Sequence, residues 1–297
     1  MSEDMEFFFA LLMSGASIGL MYSLIALGFV LVYKATDAIN FAQGEFVMLA
    51  GMVVVTVLGA EAPLIAAIVA VLVVMIGFGF GLEKVVLRPL LGRPVVAVIM
   101  ATIGVAAVLR GWGPLVLGIE TRALPLPIGD TPLELGPASL PPIQIAGVVV
   151  TLVLLAIFTW FFLKSRMGIA MRAVADNQQV AMAMGINVER YFALAWAMAG
   201  IVSALGGVIW GSMLGVDVHL ALIGLKVFPV VILGGLDSIV GAVVGGLIIG
   251  VVESLAAGYL DPYVGGGTKD FAPYVVMIIT LMFRPYGIFG THRIERV

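Results

Sequence analysis

The sequence predicts an all-α integral membrane protein, and its composition and its apolar runs both point there. Of its 297 residues 62% are hydrophobic and 11% are charged, with a mean hydropathy of +1.19. Soluble domains carry about 45–50% apolar and about 25% charged residues. The apolar runs lack the alternation of barrel strands, and lipid offers no partner for open backbone, so the runs must be helices.

Nine apolar runs between polar or Gly/Pro-rich breaks are the candidate spans. They lie at 7–33, 46–60, 63–82, 95–116, 143–163, 191–216, 219–235, 239–258 and 271–289. Two of them, 46–60 and 219–235, are short for a full crossing and are Gly-rich or interrupted by Pro, as halves of broken helices are. We therefore expect one polytopic helical domain over residues 1–297, with eight or nine spans, some of them broken or re-entrant.

Several function classes are excluded by composition. The chain has no cysteine, which removes disulfides, thiolate metal sites and thiol nucleophiles. Its two histidines, His219 and His292, lie far apart, so a histidine metal cluster is not expected. A net charge of −3 offers no polybasic surface for nucleic acid. No Gly-x-x-x-x-Gly-Lys-Ser/Thr run is present to cradle nucleotide phosphates.

The cations predict the orientation. With the C-terminus in the cytoplasm, the acidic N-terminus is periplasmic and the outer loops hold only Arg122 and Lys269, which satisfies the positive-inside rule. The cations then placed inside are Lys34, Lys84, Arg88, Arg93, Lys164, Arg166, Arg172, Arg190, Arg284, Arg293 and Arg296. The segment 119–142, with six prolines and the acids Glu120, Asp130 and Glu134, is then an extended external loop.

The longest cytoplasmic segment, 164–190, differs in composition from everything around it. A helical pattern runs from Ile169 to Met184, and Gly185 follows as a C′ stop with Ile186 as its hydrophobic contact. Such a helix either rests on the headgroups or docks in a groove of another protein. Its small apolar side and its scarcity of lysine and arginine favour a docking helix.

Three groups of residues carry a family resemblance. They are Ala26-Leu27-Gly28 with Tyr33–Thr36 and Ile39-Asn40-Phe41-Ala42-Gln43-Gly44-Glu45; Glu83–Leu90 with Ala101–Gly104; and Arg172–Asn177 with Met184-Gly185-Ile186 and Leu233–Ala242. Together they resemble the shorter, LivH-like permease of branched-chain amino acid ABC importers, over nearly the whole chain. The first run and the 172–186 segment are specific, whereas the glycine-rich runs alone are weak signals.

The resemblance implies a transport cycle in the bacterial inner membrane. A periplasmic binding protein delivers substrate to this permease and a second, longer permease, and two cytoplasmic ABC ATPases drive alternating access. The chain is then no enzyme and binds no cofactor, since ATP and Mg²⁺ belong to the ATPases. By the same resemblance, segment 169–186 couples to the ATPase through Arg172, Ala173, Asp176, Asn177, Ala181, Met184 and Gly185.

Two polar breaks are candidates for the translocation path. By residue type alone, 38–45 and 233–238 are cytoplasmic turns with Glu45 and Asp237 solvated. The resemblance favours broken helices near the pore instead, because related sugar permeases carry similar polar breaks. The path residues are then Asn40, Phe41, Gln43, Gly44, Glu45, Thr102, Gly234, Gly235, Asp237 and Ser238. Helix N-termini would meet the substrate carboxylate, and carbonyls or Glu45 its ammonium.

Other polar residues and other functions stay open at this point. We expect Arg110 to snorkel to the outer interface beside Trp112. Glu253 is either near the outer end of its span or a buried partner of a cation. The same architecture also suits import of urea, short amides or other amino acids. An ion-coupled secondary transporter would instead need acidic residues deep in its spans, where the candidates are Glu45, Asp237 and Glu253.

Overall fold

The computed structural model describes residues 3–118, 120–129 and 131–291. Asp130, His292, Arg293 and Arg296, which the sequence placed in loops or at the C-terminus, lie outside the described residues. The helices are α1 (Glu3–Thr36), α2 (Gln43–Gly59), α3 (Leu64–Leu82), α4 (Val95–Leu117), α5 (Pro142–Lys164), α6 (Arg166–Asp176), α7 (Gln178–Ala183), α8 (Val188–Leu214), α9 (Ile223–Gly234), α10 (Ile239–Tyr259), α11 (Asp261–Val264) and α12 (Thr268–Phe283).

The helical membrane fold is confirmed. Each of the nine predicted spans coincides with one helix of the described residues, and most boundaries agree within four residues. Six of these helices are long and apolar enough to cross a membrane, and two shorter apolar helices cover Gln43–Gly59 and Val218–Gly234. α3 runs on through a π-helical turn (Glu83–Leu87) and a 3₁₀ turn (Arg88–Leu90), and another 3₁₀ turn (Val218–Leu222) precedes α9.

The last predicted span is too long at its C-terminal end. α12 stops at Phe283 rather than 289, because Pro285 follows and cannot continue a helix. The apolar residues Ile288 and Phe289 instead bond along the backbone of another segment, as described below.

The proline-rich segment 119–142 is not helical in its described residues before Pro142, the first residue of α5. It holds a short hairpin that the sequence did not reveal, with β1 (Leu133–Leu135) antiparallel to β2 (Ala138–Leu140). Arg122 also forms an isolated bridge with Val216. Backbone hydrogen bonds of this kind hold an extended loop where prolines forbid a helix.

The chain divides into two compact units, each assembled from separate stretches of sequence. The terminal unit takes its residues from 1–26, 128–155 and 226–297, and the internal unit from 27–127 and 156–225. α1 runs through both, its first part in the terminal unit and its remainder in the internal unit. The prediction of a single domain over the whole chain stays a prediction.

In the internal unit, α3 and α8 pack so closely that backbone meets backbone. A Cβ on Gly79 would lie 2.4 Å from the carbonyl oxygen of Trp196, and one on Gly200 would lie 2.3 Å from that of Met75. The fully buried Phe46 joins α2 to the pair, with its ring 5.1 Å from Phe78 and 6.1 Å from Trp196. Small residues allow such approach between helices in membranes.

In the terminal unit, α1 and α10 pack in the same way. A Cβ on Gly19 would lie 2.2 Å from the carbonyl oxygen of Gly246, and one on Gly250 would lie 2.3 Å from that of Gly15. The buried hydroxyl of Ser23 donates to the carbonyl of Ala242 at 3.1 Å. Gly246 and Gly250 are therefore positions where α10 contacts α1.

Two glycines on one helix test this packing. We expect Gly79→Ala to destabilise the protein by about 1–3 kcal/mol, because the new methyl group meets backbone that cannot rotate away. Gly77→Ala is the matched control, since a Cβ there has nothing within 4 Å. Thermal unfolding in detergent should show a lower Tm for Gly79→Ala alone. Equal Tm values for both variants would contradict the assigned contact.

Candidate translocation and docking sites

The break between α1 and α2 is a buried network of uncharged polar groups. The Asn40 amide nitrogen donates to Gln43 Oε1 at 3.1 Å, and Gln43 Nε2 donates to Ser203 Oγ at 2.9 Å. Asn40 Oδ1 accepts the N–H of Ala42 at 3.0 Å. Asn40, Gln43 and Ser203 are all fully buried. The network supplies partners to backbone and side chains that no helix satisfies here.

Thr102 ties the same break to α4. The N–H of Phe41 donates to Thr102 Oγ1 at 3.3 Å, and this hydroxyl donates to the carbonyl of Ile99 at 2.8 Å. At 1.5 Å per residue, Thr102 lies about 10 Å along α4 from Val95. The break is thus attached inside an apolar helix and not at its end. Of the predicted path residues, Asn40, Phe41, Gln43 and Thr102 are brought together.

Glycine makes room for this network and for the start of α2. A Cβ on Gly28 would lie 2.1 Å from Gln43 Nε2. A Cβ on Gly44 would lie 2.1 Å from the carbonyl oxygen of Ala221, and one on Gly224 would lie 2.6 Å from the Cα of Gly44. Gly44 therefore acts as a packing position of the internal unit, where α2 begins against the segment leading into α9.

Glu45 forms an ion pair with Arg110, which the sequence did not predict. The Glu45 side chain is 2% exposed, whereas that of Arg110 is 50% exposed, and one guanidinium nitrogen contacts a carboxylate oxygen. The Cα of Arg110 lies about 22 Å along α4 from Val95, and helical side chains point back towards the N-terminus, so the guanidinium lies within the span. The expectation that Arg110 snorkels outward beside Trp112 is corrected.

The second predicted break, 233–238, belongs to the terminal unit and is organised differently. The N–H groups of Ile288 and Phe289 donate to the carbonyls of Leu233 and Gly234 at 2.8 and 3.0 Å. Gly235 has φ +105, and a Cβ there would lie 2.5 Å from the backbone nitrogen of Gly290. The segment after α12 thereby caps the C-terminal end of α9.

The remaining residues of this second break cap α10 and bind the same segment. Ser238 is the N-cap of α10 and accepts the N–H of Gly241 at 2.9 Å. Asp237 is partly exposed and accepts hydrogen bonds from the N–H and hydroxyl of Thr291. Through these contacts Asp237 and Ser238 stabilise the turn between α9 and α10. Their part in a path stays a prediction.

The predicted docking segment folds as two short helices rather than one. The helix predicted over Ile169–Met184 is broken at Asn177, whose extended backbone (φ −159) ends α6 and whose side chain caps α7 by accepting the N–H of Val180. Asparagine prefers such a cap to a helix interior, because its side chain satisfies an otherwise unpaired N–H.

The end of this segment is as predicted. Gly185 has φ +80, its N–H donates to the carbonyl of Met182 at 2.9 Å, and the N–H of Ile186 donates to that of Ala181 at 3.0 Å. This is the Schellman pattern. α7 buries Ala181 and exposes Met182, and its C-cap residue Met184 is 77% exposed. A two-turn helix thus presents unpartnered apolar side chains.

Two further acids, Glu253 and Asp217, have defined partners in the structure. Glu253 is the buried partner of a cation: Lys226 lies 3.5 Å from its carboxylate and 2.7 Å from that of Asp270. Asp217 caps a 3₁₀ turn by accepting the main-chain N–H of His219 at 2.8 Å and the hydroxyl of Thr121 at 2.6 Å. Neither arrangement has the geometry of a catalytic dyad. Among the described residues no group of three or more metal-binding side chains occurs.

The sequence missed these partners because they are distant in the chain. Arg110 is separated from Glu45 by 65 residues, and Ser203 from Gln43 by 160. The available signal was the presence of a charge within an apolar run, which is expensive unless it is paired. That signal marks the residue but does not name its partner.

Comparison with known proteins places the chain in a family. The family described as "Branched-chain amino acid transport system / permease component" matches residues 11–283. The permease LivH of Escherichia coli K12 is 31% identical, with both chains covered completely. BraD of Pseudomonas aeruginosa is 32% identical over 96% of this chain and 97% of that protein. LivH of Methanocaldococcus jannaschii is 31% identical over 90% and 88%. This chain therefore belongs to the permease family of branched-chain amino acid transport systems.

Proposed function

We propose that this chain is the membrane-spanning permease subunit of an ABC importer that moves branched-chain, apolar amino acids. A periplasmic binding protein delivers the substrate, a second and longer permease completes the membrane part, and two ABC ATPases bind from the cytoplasm. Family membership supports the transport role, and the chain has no nucleotide-binding run of its own. The observation that carries the proposal is the exposed apolar end of α7, which a passive anchor in the membrane has no need to display.

In this proposal the C-terminus is cytoplasmic and the N-terminus periplasmic. α6 and α7 then face the cytoplasm together with most of the lysines and arginines, as the positive-inside rule requires. The first turn of α1 carries Glu3, Asp4 and Glu6, which suits the opposite side.

Coupling to the ATPase runs through the surface of α6 and α7. Met184, Asp176 and Asn177 are exposed and form the contact surface, while Ala181 is buried and holds α7 in place. Arg172 and Ala173 are part of the contact from α6. Arg172 is only half-buried, so part of its charged side chain stays accessible to a partner protein.

The translocation path in this proposal passes the first break and the Glu45–Arg110 pair. A free amino acid carries a carboxylate and an ammonium group, and this pair offers one charge of each sign inside the span. The half-exposed guanidinium of Arg110 binds carboxylate bidentately when a substrate passes, while Glu45 attracts the ammonium group. The second break, with Gly234, Gly235, Asp237 and Ser238, shapes the path in the terminal unit.

An ion-coupled secondary transporter is the main alternative, and the three deep acids argue against it. Glu45 pairs with Arg110, Glu253 pairs with Lys226, and Asp237 accepts hydrogen bonds from Thr291. Each of these acids has a cationic or hydrogen-bonding partner, so none is set apart as a dedicated proton or sodium site. Urea and short amides remain alternative cargo within the same family, and they lack the two charges that Glu45 and Arg110 match.

Reconstitution tests the proposed function directly. We expect leucine uptake into proteoliposomes only when both permeases, the ATPases, the binding protein and internal ATP are present, because this chain has no energy source of its own. Omitting each component in turn is the control. Uptake against a gradient by this chain without any ATPase would refute the importer assignment.

Charge on α7 tests the docking surface. Met182→Glu combined with Met184→Glu should lower ATPase co-purification at least about tenfold, because two exposed apolar contacts are each worth about 1 kcal/mol or more in an interface. Glu120→Arg, a charge change in the 119–142 loop, is the matched control and should leave the complex intact. Tm in detergent should stay unchanged for both. If the ATPase still co-purified in stoichiometric amount with the doubly substituted protein, α7 would not be part of the interface.

A double-substitution cycle tests the Glu45–Arg110 pair. Arg110→Leu should destabilise the protein by about 3–5 kcal/mol, because it leaves a buried carboxylate without its cation. Adding Glu45→Gln should recover most of the lost stability. Leucine uptake by this double variant should remain at least tenfold below that of the wild type. Thermal unfolding measures the first effect, and uptake at equal ATPase content measures the second. Wild-type uptake by the doubly substituted, stable protein would exclude the pair from the path.

A further inference from the structure

The internal unit contains a cavity that the proposed path does not use. Its volume is about 220 Å³, and it lies where the end of α1, the turn after α3, the start of α4, α7 and α8 come together. Leu87, Val98, Phe192 and Trp196 contribute apolar wall, and Asp37, Arg93 and Gln178 contribute polar groups.

The two charged side chains at this cavity are of opposite sign. Asp37 has φ +58, a conformation that non-glycine residues rarely adopt, and its N–H donates to the carbonyl of Tyr33 at 2.8 Å. Non-glycine residues are held in this conformation where the surrounding structure demands it, often at binding sites. Arg93 comes from the turn before α4. One carboxylate and one guanidinium at a mostly apolar pocket match a zwitterion with an apolar side chain.

The size of the cavity limits the ligand. Pockets for drug-sized molecules and cofactors have volumes of about 300–1,000 Å³. At about 220 Å³ this cavity is too small for a nucleotide and suits a single free amino acid. The indole of Trp196 is almost fully buried and gives the wall a rigid apolar surface.

The position of the cavity relates it to the first break and to the docking segment. Val98 precedes Thr102 by about one turn on the same face of α4, and Asp37 precedes Asn40 by three residues. Gln178, which also lines the cavity, is the first residue of α7. In the proposed orientation, the cavity therefore adjoins the cytoplasmic side of the break and contacts the segment that binds the ATPase.

We propose that this cavity binds the transported amino acid from the cytoplasmic side, with Arg93 on the carboxylate, Asp37 on the ammonium group and Trp196 beside the side chain. This inference rests on the proposed function. Since Gln178 of α7 forms part of the wall, a bound amino acid and a docked ATPase act on the same helix. By linkage, an amino acid that favours one position of α7 changes the affinity of the permease for the ATPase by the same factor as the ATPase changes its affinity for the amino acid.

Binding to the purified importer complex, without its periplasmic binding protein, tests this site. Radiolabelled leucine should bind saturably in nanodiscs, and Arg93→Gln and Asp37→Asn should each weaken binding at least tenfold. Lys84→Gln removes a nearby exposed cation that does not line the cavity, and it should bind leucine normally. Leucinamide, which lacks the carboxylate, should compete poorly with leucine for binding to the wild-type protein. On the Arg93→Gln variant it should compete no worse than leucine itself.

A second substitution guards against misfolding. Val98→Phe fills the cavity without removing a charge and should abolish leucine binding at unchanged Tm. Leucine binding that survives both Val98→Phe and Arg93→Gln would overturn the proposal. The proposal would also be overturned if the protein bound no leucine but retained anionic phospholipid in a way that depends on Arg93, since the cavity would then hold a lipid headgroup. Either result leaves ATP-driven uptake by the complete importer intact, whereas failure of uptake itself concerns the proposed function.

Discussion

The structure depends on one constraint: a backbone group inside a bilayer has no water to bond to, so the chain must supply its partner. Where α1 gives way to α2, that partner comes from Asn40 Oδ1 and Thr102 Oγ1, and the amide chain through Gln43 to Ser203 satisfies the side chain of Asn40. Where α9 ends, it comes from the N–H groups of Ile288 and Phe289. The two breaks look alike in the sequence, yet one is satisfied by side chains and the other by added backbone.

Close packing follows from the same constraint. Apolar side chains gain little from one another in a solvent that is itself apolar, so helix association depends on contact at short range. The glycine pairs on α1 and α10, and those on α3 and α8, bring carbonyls against Cα atoms. A network of uncharged amides fits the same logic, because it satisfies polar groups without the cost of an unpaired charge. The Glu45–Arg110 pair is the exception, and an exception of this kind is a functional signal in a membrane.

The sequence predicts what depends on local pattern. Each of the nine apolar runs that hydropathy located holds a helix, and Gly185 marked the end of the docking segment because a left-handed residue is needed there. Asn177 was read as part of a helix because neighbouring residues favour one, although its side chain does better as a cap. Ile288 and Phe289 resembled the end of a span because hydropathy does not register the proline at 285. The partners of Glu45, Glu253 and Gln43 depend on tertiary contacts between distant residues, which no local pattern encodes.

The hydrogen bonds from residues 288–291 to the turn between α9 and α10 affect the order in which the protein folds during synthesis. A ribosome delivers the chain from its N-terminus, and the first helix enters the membrane long before the segment that completes its unit has been synthesised. Leu233, Gly234 and Asp237 are synthesised before their final bonding partners and acquire them only once residues 288–291 have followed. A nascent chain released before residue 288 therefore leaves that turn without its bonding partners.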